Sequence, residues 1–194
     1  MNRVAQLERQ TAETQISVRV DLDGVGDSSI STGIGFLDHM LTALSRHGRI
    51  DIQLEASGDL EVDDHHTAED CALALGSAID LALGERRGIR RFGTAFVPMD
   101  EALCRAVIDL SGRPAAVVHL GLRREMLGTI ANENLTHFFN SLAMAIRGSL
   151  HVDLLRGDND HHRAEAAFKA LALALREAVS RDGNERIPST KEVL

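Results

Sequence analysis

The chain has 194 residues, 44% hydrophobic and 26% charged, enough to bury a core without disulfide or metal staples and too ordinary in composition for disorder. Twenty-nine acidic residues against 21 basic ones give a net charge of −8, which argues against nucleic-acid binding while leaving room for a local basic pocket for an anionic metabolite. No apolar run reaches the ~20 residues of a membrane span, and the opening MNRVAQLERQTAET has no apolar core, so neither a membrane anchor nor a secretory signal is expected.

Residues 14–23 alternate, with Ile16, Val18, Val20 and Leu22 on one face, and read as a half-buried strand. A Gly/Ser-rich turn follows. Apolar residues at 36, 37, 40, 41 and 44 then make a helical stripe over Phe36 to His47. Ile50, Ile52 and Leu54 alternate as a strand, and the Ala/Leu-rich run from 67 to 83 is a helix ending before Gly84. Strands are expected next at 92–98 and 102–110. A helix over 131–148 has Asn132 as a possible cap. A strand at 150–155 and a long Ala/Leu helix at 163–179 complete the chain. Cys71 and Cys104 have no CxxC spacing and read as two reduced thiols in packed elements of a cytoplasmic protein.

The second half replays the first. DLDG (21–24) is answered by DLSG (109–112), and landmarks recur at similar offsets: Asp21 to Asp109 is 88, His39 to His137 is 98, and His65 to His161 is 96. This is an α+β chain expected to form a single domain over 1–194, internally duplicated as 1–92 and 93–194, each half a small sheet covered by two helices. The basic run RRGIRRF (86–92) marks the junction. The faces of the Ala-rich helices favour close packing, so extensive contact between subunits is plausible.

Six of the nine histidines belong to the repeat. Each half has one His on its shorter helix, His39 or His137, and an HHxxE box where its longer helix begins, His65-His66-Glu69 or His161-His162-Glu165. At i,i+3 and i,i+4, a box's Glu shares a helix face with its histidines, while adjacent histidines diverge by about 100° and so suit two metals better than one. Three His and one Glu per set leave open positions on a six-coordinate ion, as catalysis requires. Imidazole and carboxylate without thiolate suit Mn, Fe, Co, Ni or Zn. Asp63, Asp64, Asp158 and Asp160 stand beside the boxes as possible partners of the second ring nitrogens. Asp64 and Asp160 equally suit simple N-caps, and both roles can hold at once. Lys169, four residues after Glu165, either pairs with it or holds an anion there.

RQTAET (9–14), GFLDHML (35–41), DDHHTAED (63–70), RFG (91–93), DLSGRP (109–114), HFFNSLA (137–143), DNDHHRAEAAFKA (158–170) and STK (189–191) together resemble the imidazoleglycerol-phosphate dehydratase family over nearly the whole chain, in its monofunctional form. The resemblance implies two repeats of a four-stranded sheet covered on one face by two helices, of the ribosomal protein S5 domain 2-like type. It implies a cytoplasmic homo-oligomer of 24 subunits built from trimers, with two divalent metal ions, Mn2+ expected, in active sites at subunit interfaces. The ligands carried over are His39, His65, His66, Glu69, His137, His161, His162 and Glu165. Catalytic roles fall to Glu13, His39, Glu69 and Glu165. Substrate contacts are expected from Glu13, His39, His47, His65, Glu69, Arg91, Arg113, His161, Lys169, Ser189, Thr190 and Lys191.

The implied reaction is dehydration of D-erythro-imidazoleglycerol phosphate to imidazole-acetol phosphate in histidine biosynthesis. The proton to be lost sits on a carbon that no carbonyl activates. An imidazole held between two metals can lose its ring proton. The resulting imidazolate can expel the adjacent hydroxyl, and the diazafulvene-like product makes loss of the neighbouring proton feasible. Glu13 or a metal-bound water would take that proton. A dinuclear phosphate-ester hydrolase and a metal store fit parts of the pattern, but neither calls for both six imidazoles and an anion pocket; release of inorganic phosphate would mark the hydrolase, and absence of turnover in metal-loaded protein the store.

Overall fold

The computed structural model describes residues 3–194, so the first two residues of the expected 1–92 repeat lie outside the described residues. The first half contains β1 (Val4–Gln10), β2 (Thr14–Asp21), β3 (Ser28–Ser31), α1 (Gly35–Gly48), β4 (Asp51–Gly58) and α2 (His65–Leu83). The second contains β5 (Phe92–Met99), β6 (Ala102–Asp109), β7 (Ala115–His119), a short β8–β9 hairpin (Met126–Leu127, Ile130–Ala131), α3 (Asn132–Ile146), β10 (Ser149–Arg156) and α4 (Asp160–Val179). The strand orders are β1-β2-β4-β3 and β5-β6-β10-β7. In each four-stranded sheet the last-named strand is parallel to its neighbour and the other pairs are antiparallel. The two sheets therefore share one topology, and the fold is α+β.

The alternation of β2 buries Thr14, Ile16, Val18 and Val20 and exposes Gln15, Ser17 and, in part, Arg19; β6 repeats the pattern with Ala102, Cys104, Ala106 and Ile108 inward. Five strands escape the sequence reading: the short β8–β9 pair and three strands of the larger sheets. β1, β3 and β7 are outer strands with no fully buried residue, so their apolar–polar contrast is weak. SSIS at 28–31 lies within the stretch read as a turn, yet it pairs with β4. Polar or short edge strands of this kind also discourage sheet-to-sheet aggregation.

Each sheet presents one face to its helices, and the helices pair between halves: α1 packs on α4 and α2 on α3. α4 is consequently buried around most of its circumference, with Ala164, Ala166, Ala167, Phe168, Ala170 and Leu171 all inaccessible, as befits a helix with apolar neighbours on several sides. Cys71 and Cys104 are free and buried in this core, which pushes both thiols up to about 12. Buried among apolar side chains, both behave as small packed hydrophobes.

Two of the expected caps differ. α3 begins at Asn132 itself, whose side-chain amide donates to the Arg124 carbonyl rather than capping. At α4 the cap is Asn159, whose Oδ1 accepts from the His161 and His162 N–H groups. Asp160 instead accepts from Arg123 and Arg124 N–H, both at 2.7 Å.

Gly93 carries the closest approach of sheet to helix. A Cβ there would lie 1.9 Å from the Ala174 carbonyl oxygen, backbone that cannot swing aside. Gly93→Ala is expected to part β5 from α4 and cost about 1–3 kcal/mol, read as a lower denaturation midpoint; an unchanged midpoint would mean that the two elements separate freely. Asp51 ties the loop between β2 and β3 by accepting from Val25, Gly26 and Asp27 N–H at 2.8, 2.8 and 2.9 Å. Burial alone would raise its carboxyl, but these three donors outweigh burial and hold it below the ordinary range. Its contribution to stability is thus present above the unfolded value of about 3.9 and is lost as pH falls through the folded one. The stability difference between wild type and Asp51→Asn should shrink below about pH 4; a constant difference would put the effect elsewhere.

Candidate functional site

The cross-pairing of helices decides which histidines meet. His39 on α1 faces His161 and Glu165 on α4, and His137 on α3 faces His65 and Glu69 on α2; in each group the ligand atoms lie within 4.8 Å of one another. The sets are therefore shared between the halves, not confined to one half each. Each holds two His and one Glu within the chain, where the sequence suggested three His and one Glu.

In the first group His39 Nε2 and His161 Nε2 stand 3.5 and 3.2 Å from Glu165 Oε2. Glu165 is only 7% exposed, and its other oxygen meets Lys169 Nζ at 2.7 Å. Burial alone would raise this carboxyl, but Lys169, with His39 and His161, holds it below the ordinary range. Both readings of Lys169 thus begin from an ion pair. His47 lies further along α1, its pKa lowered by burial and then by the charge of Lys169. Phe36 packs its ring against the His161 imidazole at 5.2 Å.

In the second group His65 Nε2 and His137 Nε2 lie 3.8 and 3.1 Å from Glu69 oxygens. His65 Nδ1 is 2.9 Å from Asn134 Oδ1. With Nδ1–H donating there, a neutral His65 aims its Nε2 lone pair at a carboxylate, acceptor against acceptor. His137 Nε2 is shielded from solvent, and its 3.1 Å approach to Glu69 Oε1 lacks the alignment of a hydrogen bond. Such an arrangement calls for a cation between the groups, and ligands bonded at ~2.1 Å and at right angles would stand about 3.0 Å apart. The donor set is all nitrogen and oxygen, open to solvent on one side, and fits a divalent metal.

His66 and His162 turn away from these groups; their rings lie at 76° and 87° to those of His65 and His161. His66 Nδ1 is 3.0 and 3.2 Å from the two Asp59 oxygens, and His162 Nδ1 is 2.7 Å from Glu101 Oε2. Asp59 and Glu101 raise the pKa of their respective histidines. Glu101 also accepts from Asn159 and Asp158 N–H, and these bonds together with His162 bring its carboxyl down to about 2.

The aspartates expected to hold ring nitrogens do other work. Asp63 accepts from the His65 N–H, Asp64 from the Ala131 N–H, and Asp158 lies nearest Arg123. Asp59, Glu101 and Asn134 take that role instead, and sequence reasoning missed all three. For Glu101 a signal existed: the 88-residue offset that relates Asp21 to Asp109 also relates Glu13 to Glu101.

Glu13 sits exposed in the β1–β2 turn. Its N–H donates to Thr11 Oγ1, its carbonyl accepts the Asp59 N–H at 3.1 Å, and its carboxylate is close enough to His66 to raise that ring's pKa. Arg91 is fully engaged, with Nε and Nη2 on Asp109 at 2.6 and 3.0 Å and Nη1 on the Pro188 carbonyl at 2.8 Å. It thereby anchors the segment carrying Ser189, Thr190 and Lys191. Arg113 is exposed, beside Gly112 where Leu194 approaches. These cationic residues gather at the far end of α4, since the Arg91 N–H bonds the Ala178 carbonyl. At 1.5 Å per residue, that point is about 20 Å along the helix from Glu165.

The family model described as imidazoleglycerol-phosphate dehydratase matches residues 32–175. The imidazoleglycerol-phosphate dehydratase of Phaffia rhodozyma is 56% identical over 99% of this chain and 96% of its own length. That of Phytophthora nicotianae is 58% identical over 99% of the chain, which spans only 42% of that relative. Among solved structures, the enzyme from Pyrococcus furiosus, crystallised with (S)-C348, superposes with a TM-score of 0.84 at 38% identity, covering 97% of this chain and 100% of that one. The Staphylococcus aureus enzyme gives 0.83 at 36% identity, covering 92% and 99%. With its paired His/Glu groups, its duplicated sheets and these matches along nearly its whole length, the chain belongs to the imidazoleglycerol-phosphate dehydratase family of hydro-lyases.

Proposed function

We propose that this chain dehydrates D-erythro-imidazoleglycerol phosphate to imidazole-acetol phosphate in histidine biosynthesis, using two divalent metal ions, Mn2+ in the first instance. The observation that carries the reading is the convergence of two imidazoles and one carboxylate in each of two groups, His39, His161 and Glu165 and His65, His137 and Glu69, with ligand atoms within 4.8 Å of one another. His39, His65, His66, Glu69, His137, His161, His162 and Glu165 would hold the metals. Bound there, divalent cations supply the charge that lets the substrate's imidazole lose its ring proton and push out the neighbouring hydroxyl.

The chain's own residues do the rest. His39, His65, Glu69, His161 and Glu165 border the space that the substrate ring would enter. Glu13, exposed and close to His66, takes the carbon-bound proton. Lys169 has one of its three N–H groups on Glu165 and a second on Met99 Sδ at 3.3 Å, leaving the third for an anion, with His47 nearby. Arg113, Ser189, Thr190 and Lys191 receive the phosphate end, on a segment that Arg91 anchors through the Pro188 carbonyl.

A substrate of five or six bonds, at about 1.5 Å each, cannot reach across the ~20 Å that separates those residues from Glu165 in one chain. This supports sites completed by a second copy, in a homo-oligomer of 24 subunits built from trimers, each chain one domain of two repeats, 1–92 and 93–194. No described helix is long and apolar enough to cross a membrane, which agrees with the cytoplasmic location we propose.

Chelation should abolish turnover and lower the scattering mass, with Mn2+ restoring both, because a ligand bound only by the assembled form stabilises it by mass action. Full turnover by metal-stripped protein would overturn the two-metal reading. Glu13→Gln keeps shape and hydrogen-bonding capacity but deletes basicity, so kcat should fall about 10²–10⁴-fold with metal content and assembly unchanged. A variant within about tenfold of wild type, well short of that loss, would remove Glu13 from the proton transfer.

A further inference from the structure

A neutral imidazole has one N–H and one lone pair, and the partner at one nitrogen decides which is where. His66 and His162, the two box histidines turned away from the intrachain groups, each meet a carboxylate through Nδ1. A carboxylate only accepts, so in the neutral ring Nδ1 carries the proton and the lone pair is left on Nε2, which in His162 stands 3.5 Å from Oδ2 of the exposed Asp100. Glu101 cannot turn aside: Oε1 accepts from Asp158 and Asn159 N–H at 3.0 and 2.8 Å while Oε2 holds His162. Asp59 is fixed through its main-chain N–H on the Glu13 carbonyl, with both oxygens toward His66.

The halves reach this result through non-equivalent residues. β2 and β6 run Thr14–Asp21 and Ala102–Asp109, so Glu101 stands where Glu13 stands in the first hairpin. In the second half the carboxylate at that position is occupied by His162 and two main-chain donors. In the first half Asp59 takes the ring instead, and the Glu13 carboxylate is left exposed.

We propose that Asp59 and Glu101 are positioning residues that lock His66 and His162 as Nε2 donors to divalent metal, and that this division of labour leaves Glu13, of the two hairpin carboxylates, free for proton transfer. The proposal rests on the metal-dependent function above and goes beyond it in assigning two residues outside the ligand set.

Glu101→Gln tests it directly. The amide oxygen must stay with the two main-chain N–H groups, so the NH2 faces Nδ1 and drives the ring proton onto Nε2. Mn2+ affinity, measured by equilibrium dialysis with elemental analysis, should weaken about 10–100-fold, the usual loss when a partner behind a metal ligand is changed. Ring 15N shifts of the metal-free protein should show His162 protonated at Nδ1 in wild type and at Nε2 in the variant, a change that loosened packing would not produce. Asp59→Ala, which keeps the main-chain bond to Glu13, should weaken Mn2+ binding likewise, and it decides the matter if Glu101→Gln does not fold. His66→Ala and His162→Ala separate the two levels of argument. If these lose metal while Glu101→Gln and Asp59→Ala bind it like wild type, the positioning role is overturned and the function stands. If the histidine variants themselves keep full Mn2+ affinity, the metal assignment of both rings fails and the positioning proposal falls with it.

Discussion

A helix buried on several sides needs apolar neighbours in more than one direction, and here the helices of each half obtain them from the other half. α1 lies on α4 and α2 on α3, with a sheet beyond each pair. Small residues make this possible: α4 presents Ala164, Ala166, Ala167, Ala170, Ala172 and Ala174 to its surroundings, all fully buried, and Gly93 admits the helix to the sheet. The chemistry follows from the packing. Because the pairs cross between halves, the lone histidine of one repeat is delivered to the HHxxE box of the other, and neither half can assemble a group by itself.

The duplication extends to the backbone more faithfully than to the side chains. At the offset of 96 that aligns the boxes, Lys169 on α4 corresponds to Leu73 on α2. Glu165 is therefore neutralised by an ammonium at 2.7 Å, and Glu69 has no such neighbour on its own helix. At the offset of 98 that aligns the shorter helices, Asn134 corresponds to Phe36; one orients His65 by a hydrogen bond and the other packs against His161. An adjacent positive charge lowers the attraction of a site for a cation. The two groups thus differ electrostatically despite identical ligand types, with Glu69 the more exposed carboxylate and the one without an ammonium beside it.

Much of this was legible in the sequence. Period-2 and period-3.6 patterning located the inner strands and all four long helices, since each has one face whose burial is nearly complete. Of the edge strands, β5 was legible at 92–98, but β1, β3 and β7 were not, because SSIS or VAQLERQ can sit half-solvated with little hydrophobic contrast. The boxes announced the ligands through residue type and spacing. Which histidine meets which Glu depends on how the helices of opposite halves pair, and periodicity carries no such information. The carboxylates behind the ring nitrogens escaped for a related reason: Asp63, Asp64, Asp158 and Asp160 are adjacent in sequence but occupied with main-chain donors and Arg123, whereas Asp59 and Glu101 arrive through a strand end and a hairpin turn.

Arg91, expected from the sequence to contact substrate, is employed in the structure as an anchor. A guanidinium has five N–H donors in a rigid fork. Three of its nitrogens already donate here, two to Asp109 and one to the Pro188 carbonyl, and the group also stacks on Phe92 at 4.7 Å. Its positive charge is largely offset by Asp109, so its direct attraction for a phosphate is weak. Its geometric effect is strong, because the bond to Pro188 fixes the start of the segment bearing Ser189 and Lys191. In the proposed function an anion would meet the exposed Lys191 ammonium and the Ser189 hydroxyl on a strand of chain that Arg91 holds in place. The cation deepest in this pole then acts on the phosphate end chiefly through the backbone that it anchors.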